Sequence, residues 1–452
     1  MKKSYEMDMC NGPLWGKLLL FSIPLILSGI LQLLFNAVDV VVVGRFSGSH
    51  ALAAVGATSA LINLFVTTFM GFAIGTNVLA GRYYGAKDEK NASETVHTSI
   101  EFSFVCGILM TVLGVLFAKP LLEWMDTPPE VLDQAVVYMK IYFLGMVAQM
   151  LYNFGAAVLR AIGDTQRPLY YLMGAGVINV ILNLFFVIVF HMGVAGVAIA
   201  TVISQIVSAI LVLRCLMRLE GICKFEWKKM KISRDKLVRI MKIGLPAGMQ
   251  GAIFSLSNVL IQSSINTFGA TAVAGSTAAS NLEGFVYMSM NGVYQTALSF
   301  TSQNMGVNNQ KRIGEVLRKC QILVVVVGGV MGNAVVLFST QLLGIYSSDP
   351  AVIQYGIIRL LYICMPYFLC GIMDVFVGSL RGMGYSVMPM LVSLTGACGL
   401  RVVWIYTIFR WHHSLPVLFI SYPVTWIITG GTHFLCWLWV RKKMKREFPE
   451  EG

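Results

Sequence analysis

The sequence predicts an all-α membrane protein whose twelve transmembrane helices form two parallel six-helix repeats, and three observations carry that expectation. Only 12% of the 452 residues are charged and 56% are hydrophobic, whereas a water-soluble domain carries roughly 25% charged residues. Apolar runs near or above about 20 residues recur along the whole chain, each long enough for a hydrocarbon core about 30 Å thick. The second half of the chain also repeats the first in register. The runs are continuously apolar rather than alternating, which excludes the strands of a membrane barrel.

The first run, residues 18–43, follows Lys2, Lys3, Glu6 and Asp8. It is longer than a signal-peptide core and lacks a small-residue cleavage site, so it reads as a retained helix. Residues 51–80 and 99–117 follow, joined through Lys87 and Lys90. The next connection carries Glu123, Asp126, Glu130 and Asp133 against one base, Lys119. Runs 136–158 and 169–190 are joined through Arg160 and Arg167, and 194–216 closes the first half. The second half holds 240–265, 272–300, 322–338, 357–380, 387–409 and 415–440, with Lys311 and Arg312 in its second connection. Basic residues thus fall on alternate connections, and they culminate in the segment Arg214 to Lys242 and in the tail from Arg441 to Arg446. The positive-inside rule makes those connections and both termini cytoplasmic. Topology therefore accounts for the net charge of +12, and no nucleic-acid partner is expected.

A shift of 222 residues pairs Pro24 with Pro246, Gly29 with Gly251, Asn36 with Asn258 and Phe46 with Phe268. After one deletion, a shift of 221 holds from Ala51/Ala272 through Gly71/Gly292, Lys90/Lys311, Pro129/Pro350, Arg160/Arg381 and Gly163/Gly384 to Pro168/Pro389. Six spans per half is an even number, so both halves enter the membrane from the same side as parallel repeats. Three segments follow: an N-terminal six-helix lobe over 1–220, a basic linker over 221–238 and a C-terminal six-helix lobe over 239–452.

Ionisable groups at bilayer depth are costly, which makes each a functional candidate. In the first span Gln32, Asn36 and Asp39 fall at i, i+4 and i+7 and share a face. The fifth span supplies Asn179 and Asn183, one turn apart. Together these stripes predict a polar pocket in the N-terminal half with Asp39 as its acid. A carboxylate withdrawn from water keeps its charge only beside a cation. Two plainer readings stand beside this one: Asp39 solvated near the outer interface, and the asparagines as interhelical packing contacts. In the second half Ile261 takes the place of Asp39, and the seventh span carries Ser255, Asn258, Gln262 and Asn266. Glu283 and Asp374 are candidates to neutralise a cationic substrate, or they bond neighbouring hydroxyls and amides. Arg401, one residue past the match to Asn179, suits anionic cargo or pairs with Asp374 or Glu283; Arg359 is the other mid-span base. Nine cysteines are scattered without a C-x-x-C pair, and His412 and His413 lack a third ligand, so neither a disulfide framework nor a metal centre is expected. No catalytic set appears, and the protein is not expected to be an enzyme.

The run PLILSGILQLLFNAVD with VGRF after it, AGRYYGAK, and the repeated VLRAIGDT and SLRGMGYS together resemble the multidrug and toxic compound extrusion (MATE) family over nearly the whole chain. The resemblance implies a two-lobed, twelve-helix transporter that expels cationic amphipathic compounds by antiport with H⁺ or Na⁺. In its DinF-like branch an acid of the first helix is the coupling site. Asp39 matches that position and Asn179 a companion asparagine. Where some members carry a second aspartate, this chain has Asn183. NorM-like members carry a glutamate in the seventh helix, which is absent from Ser255 to Asn266, so the chain stands closer to the DinF-like branch.

The expectation is therefore a multi-pass plasma (inner) membrane exporter, working as a monomer by alternating access. Its cation-coupling residues are Asp39, Asn36, Asn179 and Asn183, with Na⁺ at Asp39 the one metal in view and no cofactor beyond H⁺ or Na⁺. Substrate candidates are Gln32, Glu283, Asp374, Arg401, Asn258 and Gln262, and the partners are small organic cations and the lipid bilayer. The alternative is a flippase for lipid-linked oligosaccharide or precursor, which needs basic residues to line its groove.

Overall fold

The computed structural model describes residues Tyr5–Glu447, and Lys2 and Lys3 lie outside the described residues. Among these residues there is no strand. The first repeat comprises α1 (Leu14–Phe46), α2 (Ser49–Gly85), α3 (Glu89–Trp124), α4 (Pro129–Leu144), α5 (Met146–Ala161), α6 (Gln166–Leu184, continued as a π-helix over Phe185–Val189) and α7 (Gly193–Met217). The second comprises α8 (Arg234–Asn266), α9 (Ala270–Gly306), α10 (Gln310–Leu337), the short α11 (Ser339–Gly344), α12 (Pro350–Ile363), α13 (Phe368–Gly382) and α14 (Val387–Ser393). A π-helix over Leu394–Gly399 leads from α14 into α15 (Leu400–Tyr406), and α16 (Ile408–Trp411) and α17 (Leu415–Glu447) complete the chain.

Eight of these helices are long and apolar enough to cross a membrane. Two bent pairs, α4 with α5 at 46° and α12 with α13 at 47°, raise the number to ten if each forms one span. This falls two short of the expected twelve, and the difference lies in α8 and α9. At 33 and 37 residues both have the length. However, α8 opens on Arg234, Asp235, Lys236, Arg239 and Lys242 and continues through serines, asparagines and glutamines, while α9 is rich in serine, threonine and asparagine. The outward faces of the apolar helices carry exposed Leu116, Val177, Ile181, Val330 and Leu337, side chains for which hydrocarbon is the compatible solvent.

The internal repeat is written in the backbone as well as in the sequence. Gly48 and Gly269 share φ of 89° and 92°, Gly163 and Gly384 share 93° and 95°, and Lys87 and Asn308 share 54° and 52°. Only glycine adopts the left-handed turn at 163 and 384 without strain. Asp88 caps α3 by accepting from Asn91 N, and Asn309 caps α10 by accepting from Arg312 N, at 3.1 and 3.0 Å. The breaks after α4 and α12 fall at matching places. Helix packing repeats too: α2 lies against α3, α4 and α5 as α9 lies against α10, α12 and α13.

Two compact units emerge, Met1–Asp8 with Leu31–Gly248 and Met9–Ile30 with Met249–Gly452, so the boundaries fall inside α1 and α8. In the first unit Gly71 and Gly75 of α2 lie directly on the backbone of α8 at Gly244, Gly248 and Ile240. Its core includes Met110, Met139, Phe143, Met150 and Phe154. The segment leading into α8 is fastened to the start of α3: Ser233 N donates to Thr98 Oγ1 at 3.0 Å, Glu226 N to His97 Nε2 at 3.0 Å, and Lys236 Nζ to Asn91 Oδ1 at 2.5 Å. In the second unit the segment leading into α1 is held the same way by the start of α10. Arg312 donates to the carbonyls of Met9, Asn11 and Gly12, each at 2.9 Å. The N-terminal segment of the first unit also meets the turn after α5, where Met7 N donates to Ile162 O and Arg167 covers the Tyr5 ring.

Candidate cation site

The site in the first unit begins with a close helix contact. Phe35 of α1 packs its ring where a side chain on Gly176 of α6 would stand. One turn along, at i+4 on α1 and at i+3 and i+7 on α6, come Asp39, Asn179 and Asn183, and the 3.6-residue period delivers them to the same seam. Asn183 Nδ2 donates to Asp39 Oδ1 and also to Asn179 Oδ1 at 3.2 Å. Asn179 Nδ2 donates to Thr201 Oγ1 of α7 at 3.3 Å, and Thr201 Oγ1 lies 3.4 Å from Asp39 Oδ2 and 3.0 Å from Val197 O. The four side chains close a ring. Asn179 and Asn183 are buried and Asp39 is half-buried.

One atom in the ring has no partner. Asn183 Oδ1 is buried without a hydrogen bond, an arrangement that costs about 1–3 kcal/mol for an amide oxygen. A carboxylate, an orphan carbonyl and a hydroxyl are hard oxygen donors, which suit Na⁺ or a carboxyl proton. Around the ring, Gln205 Nε2 of α7 donates to Gln149 Oε1 of α5 at 3.5 Å, and Tyr138 and Tyr142 of α4 stand within the field of Asp39.

The structure thus brings Asp39, Asn179 and Asn183 together. Gln32 and Asn36 are exposed and take no part in the ring: they share the face of Asp39 but stand about two turns and one turn before it along α1, and only Asp39 bonds Asn183 and Thr201. Thr201 and Gln205 were not singled out from the sequence. They lie one turn apart in the sixth span with Ser208 beyond them, the same spacing that exposed Asp39.

In the second unit Glu283 does not stand ready for a cation. Arg359 Nε and Nη2 donate to its Oε1 and Oε2 at 2.7 and 2.9 Å, and Nη1 donates to Ser276 Oγ at 2.7 Å. Arg401 pairs with neither Glu283 nor Asp374. Its Nε donates to Thr425 Oγ1 at 3.1 Å, and its guanidinium lies 4.1 Å from the Tyr422 ring centroid and 5.8 Å from that of Trp426. Asp374 is half-buried, makes no hydrogen bond among the described residues and lies in the field of Arg381. Asn258 is exposed, and Gln262 donates to Asn266 Oδ1 at 3.0 Å. His413 stacks on Phe268 and bonds Thr267.

The MatE family model matches the chain twice, over residues 24–185 and 246–407. The chain belongs to the MatE family. Its two matches are themselves 222 residues apart, so the family repeat and the internal repeat coincide. This MatE protein is 28% identical over 446 residues to the probable multidrug resistance protein YoeA of Bacillus subtilis, covering 96% of each chain. It is 22% identical to the multidrug export protein MepA of Staphylococcus saprophyticus, covering 89% of this chain and 92% of that one. Its fold matches a solved outward-facing multidrug resistance MATE family transporter with a TM-score of 0.91 at 20% identity, over 99% and 100% of the two chains. It is a multi-pass membrane transporter of that family.

Proposed function

We propose that this MatE protein is a multidrug exporter of the plasma membrane, crossing it twelve times with both termini cytoplasmic. It works as a monomer and expels small organic cations in exchange for H⁺ or Na⁺ held at Asp39. One observation carries the reading: a single carboxylate is fastened by Asn183 and Thr201 beside a buried carbonyl oxygen that lacks a partner. A cation arriving there satisfies both the carboxylate and the orphan oxygen. A cation leaving returns the carboxylate to an unpaired state at bilayer depth, which is costly. Occupancy by the coupling ion and by a cationic substrate then exclude one another, and exclusion yields exchange. A unit charge moving through about 100 mV gains about 2.3 kcal/mol, a gradient on the order of 50-fold.

The relatives' names support the multidrug reading, and the motifs of the first helix support the DinF-like branch. Arg359 is already neutralised by Glu283, which removes one of the two mid-span bases that a precursor flippase would use and leaves that reading weaker. The deciding experiment measures dye efflux from proteoliposomes under an imposed proton or sodium gradient, with wild type and Asp39→Asn. Gradient-driven efflux is expected to vanish in Asp39→Asn while the variant still purifies as a folded monomer. Efflux retained at the wild-type rate would remove Asp39 from the coupling step.

A further inference from the structure

A cavity of about 1140 Å³ opens between the start of α3 and the segment that joins α7 to α8, wholly within the first unit. Its walls are fastened to one another. His97 of α3 is buried, its Nδ1 lies 2.7 Å from Ser93 O, and its Nε2 accepts from Glu226 N, so the imidazole pins the joining segment to the helix. Phe225 packs against that ring with centroids 5.3 Å apart, and Trp227 meets Phe225 edge-on at 5.0 Å. The charges of the lining do not cancel. Glu226 is paired with Lys229 at 3.2 Å, and Glu94 lies 3.8 Å from Nζ of the buried Lys236. Lys90, Lys224, Lys231 and Arg234 also line the cavity, are exposed and make no ion pair among the described residues; only Glu89 and Glu220 of the lining stand against them. An excess of positive charge remains.

The depth of the cavity names the kind of anion that suits it. From Glu89 to His97 its α3 wall rises about 12 Å at 1.5 Å per residue, and it ends two residues before the apolar run that opens at Ser99. The headgroup layer beyond the hydrocarbon is about 5–8 Å deep on each side of a bilayer. The cavity therefore covers the level of the lipid phosphates, where each Lys or Arg attracts an anionic lipid. Apolar groups accompany the bases. Ile222 and Ile232 belong to the lining, and Trp227, 57% exposed, stands in the same segment with its Nε1 donating to Met217 Sδ at 3.1 Å. An exposed indole suits the layer where headgroups meet acyl chains. A soluble anion would use the bases and leave these apolar groups in water.

We propose that this cavity binds the headgroup of an anionic phospholipid, with Lys90, Lys224, Lys231 and Arg234 holding its phosphate and Ile232 and Trp227 covering the glycerol and first methylenes. The site lies apart from the Asp39 ring, and its binding is read without transport, so it stands or falls independently of the export reading. The purified full chain in detergent is mixed with phosphatidylglycerol or with phosphatidylcholine of the same acyl chains, and retained lipid is counted by native mass spectrometry. Wild type is expected to bind phosphatidylglycerol about tenfold or more tighter. At about fivefold per base, Lys224→Gln with Lys231→Gln is expected to lower that preference by about tenfold or more. Lys228→Gln with Lys242→Gln removes the same charge outside the lining and is expected to leave the preference within about twofold. All four lysines are exposed, so neither double variant disturbs the core. Equal retention of the two lipids by wild type would overturn the proposal, and so would an equal loss in both double variants, which is the signature of a basic surface without a site. Glycerophosphoglycerol, the same headgroup without chains, is expected to displace little of the bound lipid. Displacement as effective as that by phosphatidylglycerol itself would assign the cavity to a soluble phosphate and would also overturn the proposal.

Discussion

Glu283→Ala separates two roles for the most deeply placed acid of the second unit. Arg359 is 7% exposed, and the carboxylate of Glu283 takes two of its three hydrogen bonds. After the substitution only the Ser276 hydroxyl and the Phe419 ring, 5.6 Å from the guanidinium carbon, remain. Two hydrogen bonds to a charged group at about 1.5–3 kcal/mol each give about 3–6 kcal/mol. Breaking a buried ion pair by removing one partner costs about 3–5 kcal/mol, which agrees. A loss near 4 kcal/mol is expected in reversible unfolding by SDS in mixed micelles. Replacing both partners with apolar residues of similar volume, Glu283→Leu with Arg359→Met, is expected to restore all but about 1–2 kcal/mol, because no uncompensated charge then remains. The double-mutant cycle isolates the pair. A loss below about 1 kcal/mol in Glu283→Ala, together with a tenfold drop in affinity for a cationic dye, would refute this reasoning and make Glu283 a substrate carboxylate.

Thr201→Val removes the hydroxyl that closes the ring, and the loss of one net hydrogen bond, about 0.5–1.5 kcal/mol, is expected to slow gradient-driven efflux about threefold to tenfold; an unchanged rate would put Thr201 outside the site. Asn183→Asp places a second carboxylate against Asp39, and two carboxylates sharing one site hold a proton or cation between them. The dependence of efflux on the coupling ion is expected to steepen toward two ions per cycle, and a slope that stays at one would count against Asn183 as a site member. Gly176→Ala puts a methyl group where the Phe35 ring lies. It is expected to part α1 from α6 and impair efflux as Thr201→Val does, whereas normal efflux would show that this contact does not position Asp39.

Much of this architecture was legible in the sequence because the bilayer imposes strict rules. Continuous apolar runs must be helices, and paired identities such as Gly163/Gly384 mark turns that need left-handed backbone, so the repeat and most spans could be read directly. The least apolar spans, α8 and α9, are those whose many polar residues call for partners within the protein. Asp39, Asn179 and Asn183 could be read because an acid or a pair of amides inside an apolar helix is rare, and their helical spacing turns them toward a neighbouring helix instead of lipid. Thr201 could not, since a threonine in a span usually bonds its own helix, as Thr201 also does to Val197 O. The partner of Glu283 was equally hidden. Arg359 lies on a different helix, and no pattern local to either residue announces a contact 76 positions away.

The two repeats share turns, caps and packing, yet they differ where the helices meet inside each unit. Asp39, Asn179, Asn183 and Thr201 match Ile261, Leu400, Trp404 and Tyr422, so every member of the first unit's ring is replaced by an apolar or aromatic residue in the second. Scattered drift would have left some of the four polar, since an isolated asparagine still finds partners in a bundle. Loss of all four together follows from the physics of the ring. Without the Asp39 carboxylate, Asn183 has no acceptor for its first N–H, without Thr201 Asn179 loses the acceptor for its own, and each remaining amide becomes a buried unsatisfied group. The scaffold therefore tolerates either a complete polar ring or none. The second repeat took the latter course and carries its charges on other residues, in the Glu283–Arg359 pair and at Asp374, Arg381 and Arg401. A chain in which only Asn179 and Thr201 were moved into the second repeat, as Leu400→Asn with Tyr422→Thr, is expected to lose stability by about 1–3 kcal/mol per unsatisfied group. Adding Ile261→Asp and Trp404→Asn is expected to recover part of that loss on unfolding in mixed micelles, and a further loss would show that the ring's members do not depend on one another.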